Sequence, residues 1–347
     1  MGADVYERLA EALDRLPNGF PRTASGVEIA ILKRIFTPEQ AGLAALLTRE
    51  MEPLEIIAER AGLSVAQARR ALMAMARRGM VWFERQGGTS RFRLAPFIVG
   101  IYEAQKDILD HELAHLVEDY MAQGGAAGIM GPEPALHRVI PALGSVRTEW
   151  ILPYDDVRAI LLQARSFEVS DCICRVQQAK LGRTCRFPVH NCLSFSGREA
   201  APGPDSLTRE EALALLDEAE QVGLVHSVSN VAEGLGYVCN CCGCCCGILR
   251  GITEYGLAGS MARPNYVASI ERGTCTACGR CAQRCQVGAI SEGEDGYGVL
   301  AERCIGCGLC VTGCPSGAAS LSRLPAAQTV HPPADFAAWE EERLRNR

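Results

Sequence analysis

Eight cysteines in the last quarter of the chain fall into two copies of one spacing, C-x2-C-x2-C-x3-C. The first copy is Cys275, Cys278, Cys281 and Cys285; the second is Cys304, Cys307, Cys310 and Cys314. Three thiolates on a tight loop can each reach a different iron of one cubane, while the fourth, a helical turn further on, is carried away to another cluster. The spacing therefore predicts two [4Fe-4S] clusters with crossed ligands. Cluster one takes Cys275, Cys278, Cys281 and Cys314, and cluster two takes Cys304, Cys307, Cys310 and Cys285. Zinc knuckles or disulfides fit less well, because zinc sites use pairs of C-x2-C rather than a doubled four-cysteine run.

Ten further cysteines lie in the middle of the chain. Cys172, Cys174, Cys185 and Cys192 fall in "DCICRVQQAKLGRTCRFPVHNCLSF", expected to be rich in loops. Six more, Cys239, Cys241, Cys242, Cys244, Cys245 and Cys246, crowd into "CNCCGCCCG". Neighbouring side chains diverge, so such a run cannot be one conventional site. It holds two interleaved registers, Cys239-Cys242-Cys245 and Cys241-Cys244 with Cys246 beside them. Completed by the upstream four, these suit one or two further iron-sulfur clusters, either cubanes with thiols left over or one larger centre. For Cys185 and Cys192 the alternative is an ordinary core role, since isolated buried cysteines are common. His190 reads as a loop histidine before it reads as a ligand. Arg175 is placed either to donate to cluster sulfur, which would raise its potential, or to make a surface pair. A helix expected from Gly247 would turn its free N–H groups toward an anionic cluster.

Residues 264–324 resemble the bacterial dicluster ferredoxin fold. The second copy keeps that family's Cys314-Pro315, and each run is followed by a Gly-Ala pair, Gly288-Ala289 and Gly317-Ala318. Gln286 departs from the family, which has proline after the fourth cysteine; the expected effect is a looser turn with no ligand lost. Over residues 150–324, Cys-x-Cys-Arg followed by Cys-Asn-Cys-Cys-Gly-Cys-Cys-Cys and a dicluster module is similar to multi-cluster 4Fe-4S ferredoxin-type proteins of anaerobic bacteria. That resemblance implies clusters and redox partners but no established reaction.

The elements that position these residues divide the 347-residue chain into an expected α+β series. It runs as a winged-helix-like domain (1–100), a helix with a Gly/Pro-rich linker (101–149), a cysteine-rich iron-sulfur domain (150–263), the dicluster ferredoxin domain (264–324) and a tail (325–347). In the middle region a helix is expected through Val157, Ile160 and Leu161. Thr208-x2-Glu211 forms a capping box for a helix to Val222, stopped by Gly223, and Leu224–Val228 reads as a strand.

At the N-terminal end, Pro53 opens a helix and Gly62-Leu63-Ser64 breaks it. A second helix over 66–78 carries Ala68, Leu72 and Met75 on one face. Two strands, 81–83 and 91–94, then flank Gly87-Gly88. The segment "PLEIIAERAGLSVAQARRALMAMARRGMVWFERQGGTSRFRL" resembles winged-helix domains of bacterial regulators. Residues 60–95 hold eight arginines against the single acid Glu84. Gln67, Arg69, Arg70 and Arg77 could then face a duplex, with Arg91 and Arg93 on its phosphates. Arginine matches carboxylate as well as phosphate, so a protein-docking role is favoured over DNA. The next helix, expected over 102–121, contains His111-Glu112-x2-His115. Its apolar stripe of Leu109, Leu113, Leu116, Val117 and Tyr120 points the two histidines to solvent rather than into a zinc site.

A net charge of −6 gives no overall pull toward nucleic acid. The N-terminus has no basic, apolar leader and no apolar stretch approaches membrane-spanning length. Eighteen cysteines are thus expected to be reduced or metal-bound in the cytoplasm. No G-x-G-x-x-G follows a strand, so a dinucleotide site is not expected. The composite reading is an electron-transfer protein or oxidoreductase subunit, more a component than a stand-alone enzyme, whose partners are redox proteins. The alternatives are a redox-sensing winged-helix transcription regulator and a reductase with substrate at a middle cluster.

Overall fold

Ser64 and Gln67 start the second helix of the expected pair reciprocally: the Ser64 hydroxyl accepts from the Gln67 N–H, and the Gln67 side-chain oxygen accepts from the Ser64 N–H. The computed structural model describes residues 4–347. It divides the chain into two units, 1–132 with 180–183 and 343–347, and 133–179 with 184–342. Helix and sheet both contribute throughout, an α+β composition.

The first unit begins with α1 (Val5–Asp14), α2 (Val27–Ile35) and α3 (Pro38–Ala44). Strand β1 (Glu52–Pro53), α4 (Leu54–Ala61), α5 (Val65–Arg77), β2 (Val81–Gln86) and β3 (Thr89–Leu94) follow, with strand order β1-β3-β2. Helix α5 buries Ala68, Leu72 and Met75, the face its 3.6-residue period marks. The helix expected from residue 102 instead starts at His111 as α6 (His111–Tyr120). Gln105 is the physical reason: its buried amide donates to the carbonyls of Arg78 (2.9 Å) and Ile101 (2.8 Å), holding residues 102–108 in short turns. The Asp110 carboxylate then accepts from the Leu113 N–H and caps α6. His111 and His115 are exposed, and Glu112 pairs with Arg34 at 3.1 Å. Helix α7 (Ala126–Met130) completes the order. The tail is not free: the Arg343 guanidinium is wholly buried and donates to the carbonyls of Pro17, Ile129 and Pro132.

In the second unit the stretch read as linker supplies β4 (His137–Ile140), an edge of a six-stranded antiparallel sheet. The remaining elements around it are α8 (Val157–Gln163), β5 (Ser166–Asp171), α9 (Ile173–Lys180), β6 (His190–Ser196), β7 (Ser206–Leu207), α10 (Arg209–Val222), β8 (Val225–Ser229) and β9 (Tyr237–Cys241). Strand order is β4-β8-β9-β6-β5-β7. The capping box of Thr208 and Glu211 starts α10, and Gly223 ends it. Because side chains alternate along a strand, one face of the sheet carries Phe167, Leu193, Val228 and Val238. These pack with Val157 and Leu161 of α8 and Ala212 and Leu216 of α10. Truncating Leu216, fully buried there, would cost about 2–5 kcal/mol.

After α11 (Gly247–Thr253) the chain forms a smaller module: β10 (Tyr266–Ile270), α12 (Arg280–Arg284), β11 (Ile290–Gly293), β12 (Gly296–Val299), α13 (Leu309–Thr312) and β13 (Ala319–Arg323). The outer strands β10 and β13 pair antiparallel, as do β11 and β12. Its core of Tyr266, Ala268, Cys281, Cys310 and Leu321 includes Val146 and Leu152, so the upstream strap belongs to this packing. Gly308 sits at φ +73° just before α13; a Cβ there would fall 2.1 Å from the Ser145 hydroxyl. Helix α14 (Phe336–Arg345) follows, and its Trp339 indole donates to the Ala135 carbonyl. Among the described residues no helix is long and apolar enough to cross a membrane.

Candidate metal centres

Helices α12 and α13 each begin just before the third cysteine of their run, so Cys281 and Cys310 are carried inward while the preceding loops hold the other sulfurs. Cys275, Cys278, Cys281 and Cys314 line one cavity together with Ile270, Tyr297 and Pro315. Cys285 falls on the other side, with the second run. Burial raises the Cys307 thiol, and thiolates at Cys310, Cys285 and Cys304 add to that. Cys310 is likewise pushed up to about 12, by burial first and then by Cys304, Cys285 and Cys281. Burial also acts to raise Cys314, but the N–H groups of Ala319, Ser316 and Ala318 and the Ser316 hydroxyl hold it below its ordinary value. Such donors to sulfur tune a cluster's potential.

The ten middle cysteines separate into two sets. Sheet register builds the first. Cys239 and Cys241 are two apart on β9, so both leave the face opposite Val238, and Leu193 pairs with Val238, which brings Cys192 of β6 beside Cys239. Cys172 follows β5, Cys174 lies in the first turn of α9, and Cys246 caps α11. Each sulfur interacts with two others, closing a ring in the order Cys172, Cys174, Cys246, Cys241, Cys239, Cys192. The expected loop-rich setting is thus corrected for three of these residues: Cys172, Cys174 and Cys192 sit on or against regular elements, because β5 and β6 pair through Ser170 and Cys192.

Cys172 and Cys241 stand opposite each other in the ring and are its acidic thiols. Cys172 is held well below its ordinary value, first by the thiols of Cys174 and Cys192. Cys241 is lowered to about 6, first by Cys239 and then by Cys246. Their neighbours are raised, first because each donates its S–H to an adjacent thiolate, then by burial and by that thiolate's charge. A cation among these sulfurs would let more of them ionise together.

The second set is Cys185, Cys242, Cys244 and Cys245, whose sulfurs all lie within 4.8 Å of one another. Cys242 is lowered to about 5, first by the Cys245 thiol and also by Arg175. Arg175 stands between the two sets. Only 1% exposed, it donates to the Asn191 side chain (2.7 Å) and to the Asn240 carbonyl (2.8 Å). Burial acts to lower its pKa, but thiolates at Cys172, Cys242 and Cys241 outweigh this and raise it. Its Nε has no protein partner among the described residues, which leaves a buried donor suited to an anionic cluster. The surface-pair alternative for Arg175 does not hold.

On the helix-facing side of the sheet, His226 bridges Asn240 (2.7 Å) and Glu220 (3.2 Å), locking β9 to α10. Sequence reasoning missed this pair; register alone would have found it, since His226 and Asn240 are opposite on β8 and β9. His190 opens strand β6 rather than lying in the expected loop, and it is exposed and bonded to Asp171 at 2.8 Å.

Gln286 joins the small module to the cysteine-rich run. Its amide donates to the Gly223 carbonyl (2.7 Å), and its side-chain oxygen accepts from the Gly243 N–H (2.9 Å). Gly243 has no alternative there, because a Cβ would fall 1.9 Å from the Gln286 carbonyl oxygen. The turn after Cys285 is not loose but tied on both sides, which corrects the expectation drawn from the missing proline.

In the first unit the arginines are largely occupied. Arg69 donates to Ser90, Arg91 to the Met51 carbonyl, and Arg93 to the Arg49 carbonyl while stacking 4.4 Å from the Trp82 ring centre. Gln67 is taken up by its cap, and Arg70 and Arg77 remain exposed.

Residues 268–321 match the family model of the 4Fe-4S dicluster domain. Comparison of the chain with curated proteins and with solved structures gave no match. The dicluster match supports an iron-sulfur electron-transfer role.

Proposed function

We propose that the protein relays single electrons between a docked redox protein and a buried iron-sulfur centre in the middle region. Bound clusters supply the one-electron chemistry. Cys275, Cys278, Cys281 and Cys314 hold the first [4Fe-4S] cluster, and Cys304, Cys307, Cys310 and Cys285 hold the second, in a bacterial dicluster ferredoxin fold. The six-thiol ring takes a further iron-sulfur centre, with Arg175 as its fixed counter-charge and donor.

The observation that carries the relay is the Gln286 bridge. Cys285, a ligand of the second cluster, is covalently followed by a residue whose side chain bonds Gly243, which lies between Cys242 and Cys244. The dicluster module is therefore coupled to the middle thiols through one residue rather than tethered by a linker. An anaerobic redox titration followed by EPR tests it: chemical reduction should produce ferredoxin-type signals and a further, distinct signal that exchanges electrons with them.

The order of β1, α4, α5, β2 and β3 supports a winged-helix reading of the first unit. Intramolecular use of Gln67, Arg69, Arg91 and Arg93 favours a protein-docking role over the transcription-regulator alternative. Reduced, metal-loaded thiols suit a cytoplasmic, anaerobic setting.

A further inference from the structure

The sulfur spacings of the dicluster module and of the second middle set differ, and the difference is chemical. In a cubane each thiolate sits on its own iron, so ligand sulfurs lie roughly 6 Å apart. Four thiolates around one tetrahedral ion, with metal–sulfur bonds of about 2.3 Å, stand only about 3.8 Å apart. In the dicluster module no hydrogen bond joins any two cysteine sulfurs among the described residues, and no three of them gather within 4.8 Å. They are too spread to share one tetrahedral ion. In the second middle set, by contrast, Cys185 lies 3.7 Å from Cys242 and 3.6 Å from Cys244, and Cys244 lies 3.7 Å from Cys245. All four sulfurs fall within 4.8 Å of one another.

We infer that Cys185, Cys242, Cys244 and Cys245 form a tetrathiolate site for a single zinc ion rather than a share of an iron-sulfur cluster. The local backbone is built for it. After β9 the chain turns at Cys242, whose carbonyl accepts from the N–H of Cys246 at 3.1 Å, so three ligands come from one turn. The fourth arrives from the 184–189 connection, where the Phe187 N–H already donates to the Cys185 sulfur at 3.4 Å. Phe187, Ala219 and Leu224 close the apolar side, while Cys244 is exposed, leaving a route for the ion. Zinc stands above ferrous iron in affinity for the same cage. Binding exchanges thiol protons for the ion and transfers no electron. The ion would clamp the 184–189 connection to the turn that Gln286 holds, fixing the bridge between module and ring. This inference goes beyond the relay and does not depend on it.

The test uses the full chain, made in medium containing both iron and zinc and purified without oxygen. Elemental analysis should give about one zinc per chain, and zinc-edge X-ray absorption should show four sulfurs at about 2.3 Å with no neighbouring metal. Cys244→Ser should lower zinc occupancy while iron and acid-labile sulfide stay at wild-type levels. Zinc-free wild-type protein, or loss of about four irons with their sulfides in Cys244→Ser, would overturn the assignment. Should the variant fail to fold, the wild-type zinc spectrum decides alone. A failed relay would appear in the iron count and redox titration and leave the zinc result standing.

Discussion

Removing the Gln286 amide tests whether the dicluster module and the cysteine-rich run are mechanically one piece. Gln286→Ala deletes two hydrogen bonds, at 2.7 Å to the Gly223 carbonyl and 2.9 Å to the Gly243 N–H. Each contributes about 1 kcal/mol net, so local opening of this contact should become easier by about 2 kcal/mol. Where exchange follows the opening equilibrium, that corresponds to roughly 30-fold faster hydrogen exchange at the Gly243 amide. No cysteine is touched, so iron and sulfide content should be unchanged while electron exchange between the ferredoxin-type and middle signals slows. Hydrogen exchange read by mass spectrometry on peptides spanning Gly243, beside peptides from α10 as an internal reference, measures the effect. An unchanged exchange rate at Gly243 would refute the claim that Gln286 holds the turn. Equal acceleration throughout the second unit would refute the claim that its role is local.

Cys281→Ser and Cys307→Ser should each remove a different ferredoxin-type EPR signal and spare the middle one; identical losses in both variants would contradict crossed ligation. Burial lowers the His137 imidazole to about 4, so the folded state resists protonation that the unfolded chain accepts. Its contribution is complete above the unfolded value near 6.5 and is lost as pH falls toward 4, by up to about 3 kcal/mol. His137→Gln should therefore be less acid-sensitive than wild type in denaturant titrations at pH 7 and pH 5, and parallel losses would contradict the assignment. For the first unit, full-length protein should bind duplex DNA only weakly, without sequence preference and with strong salt dependence. A specific site lost on Arg70→Ala together with Arg77→Ala would promote the regulator reading.

The parts of this molecule that depend on local chemistry were legible in the sequence. The capping boxes at Ser64 and Thr208, the buried face of α5 and the two cysteine runs need only neighbours along the chain, and periodicity reports them directly. What the sequence hid depends on pairing between distant strands. Nothing local says that Cys192 lies beside Cys239, which follows from β6 pairing with β9, or that Cys185 gathers with Cys242, Cys244 and Cys245. The same cause hid β4, whose Gly- and Pro-flanked residues read as linker until β8 supplies a partner. Gln286 looked like a defect because its partners, Gly223 and Gly243, are 63 and 43 residues away. At the first unit, composition misled in another way. The count of arginines is real, but Ser90, Met51 and Arg49 take up three of them once β1 and β3 pair.

The central claim is that iron-sulfur chemistry extends beyond the dicluster module into the six-thiol ring. Iron and acid-labile sulfide, counted per chain on anaerobically purified and fully reconstituted protein, test it most directly. The account predicts more than about eight irons, the content of two [4Fe-4S] clusters, with the excess lost in Cys239→Ser and retained in Cys281→Ser. A saturated preparation that stops at about eight irons, with Cys239→Ser carrying as many as wild type, would contradict it.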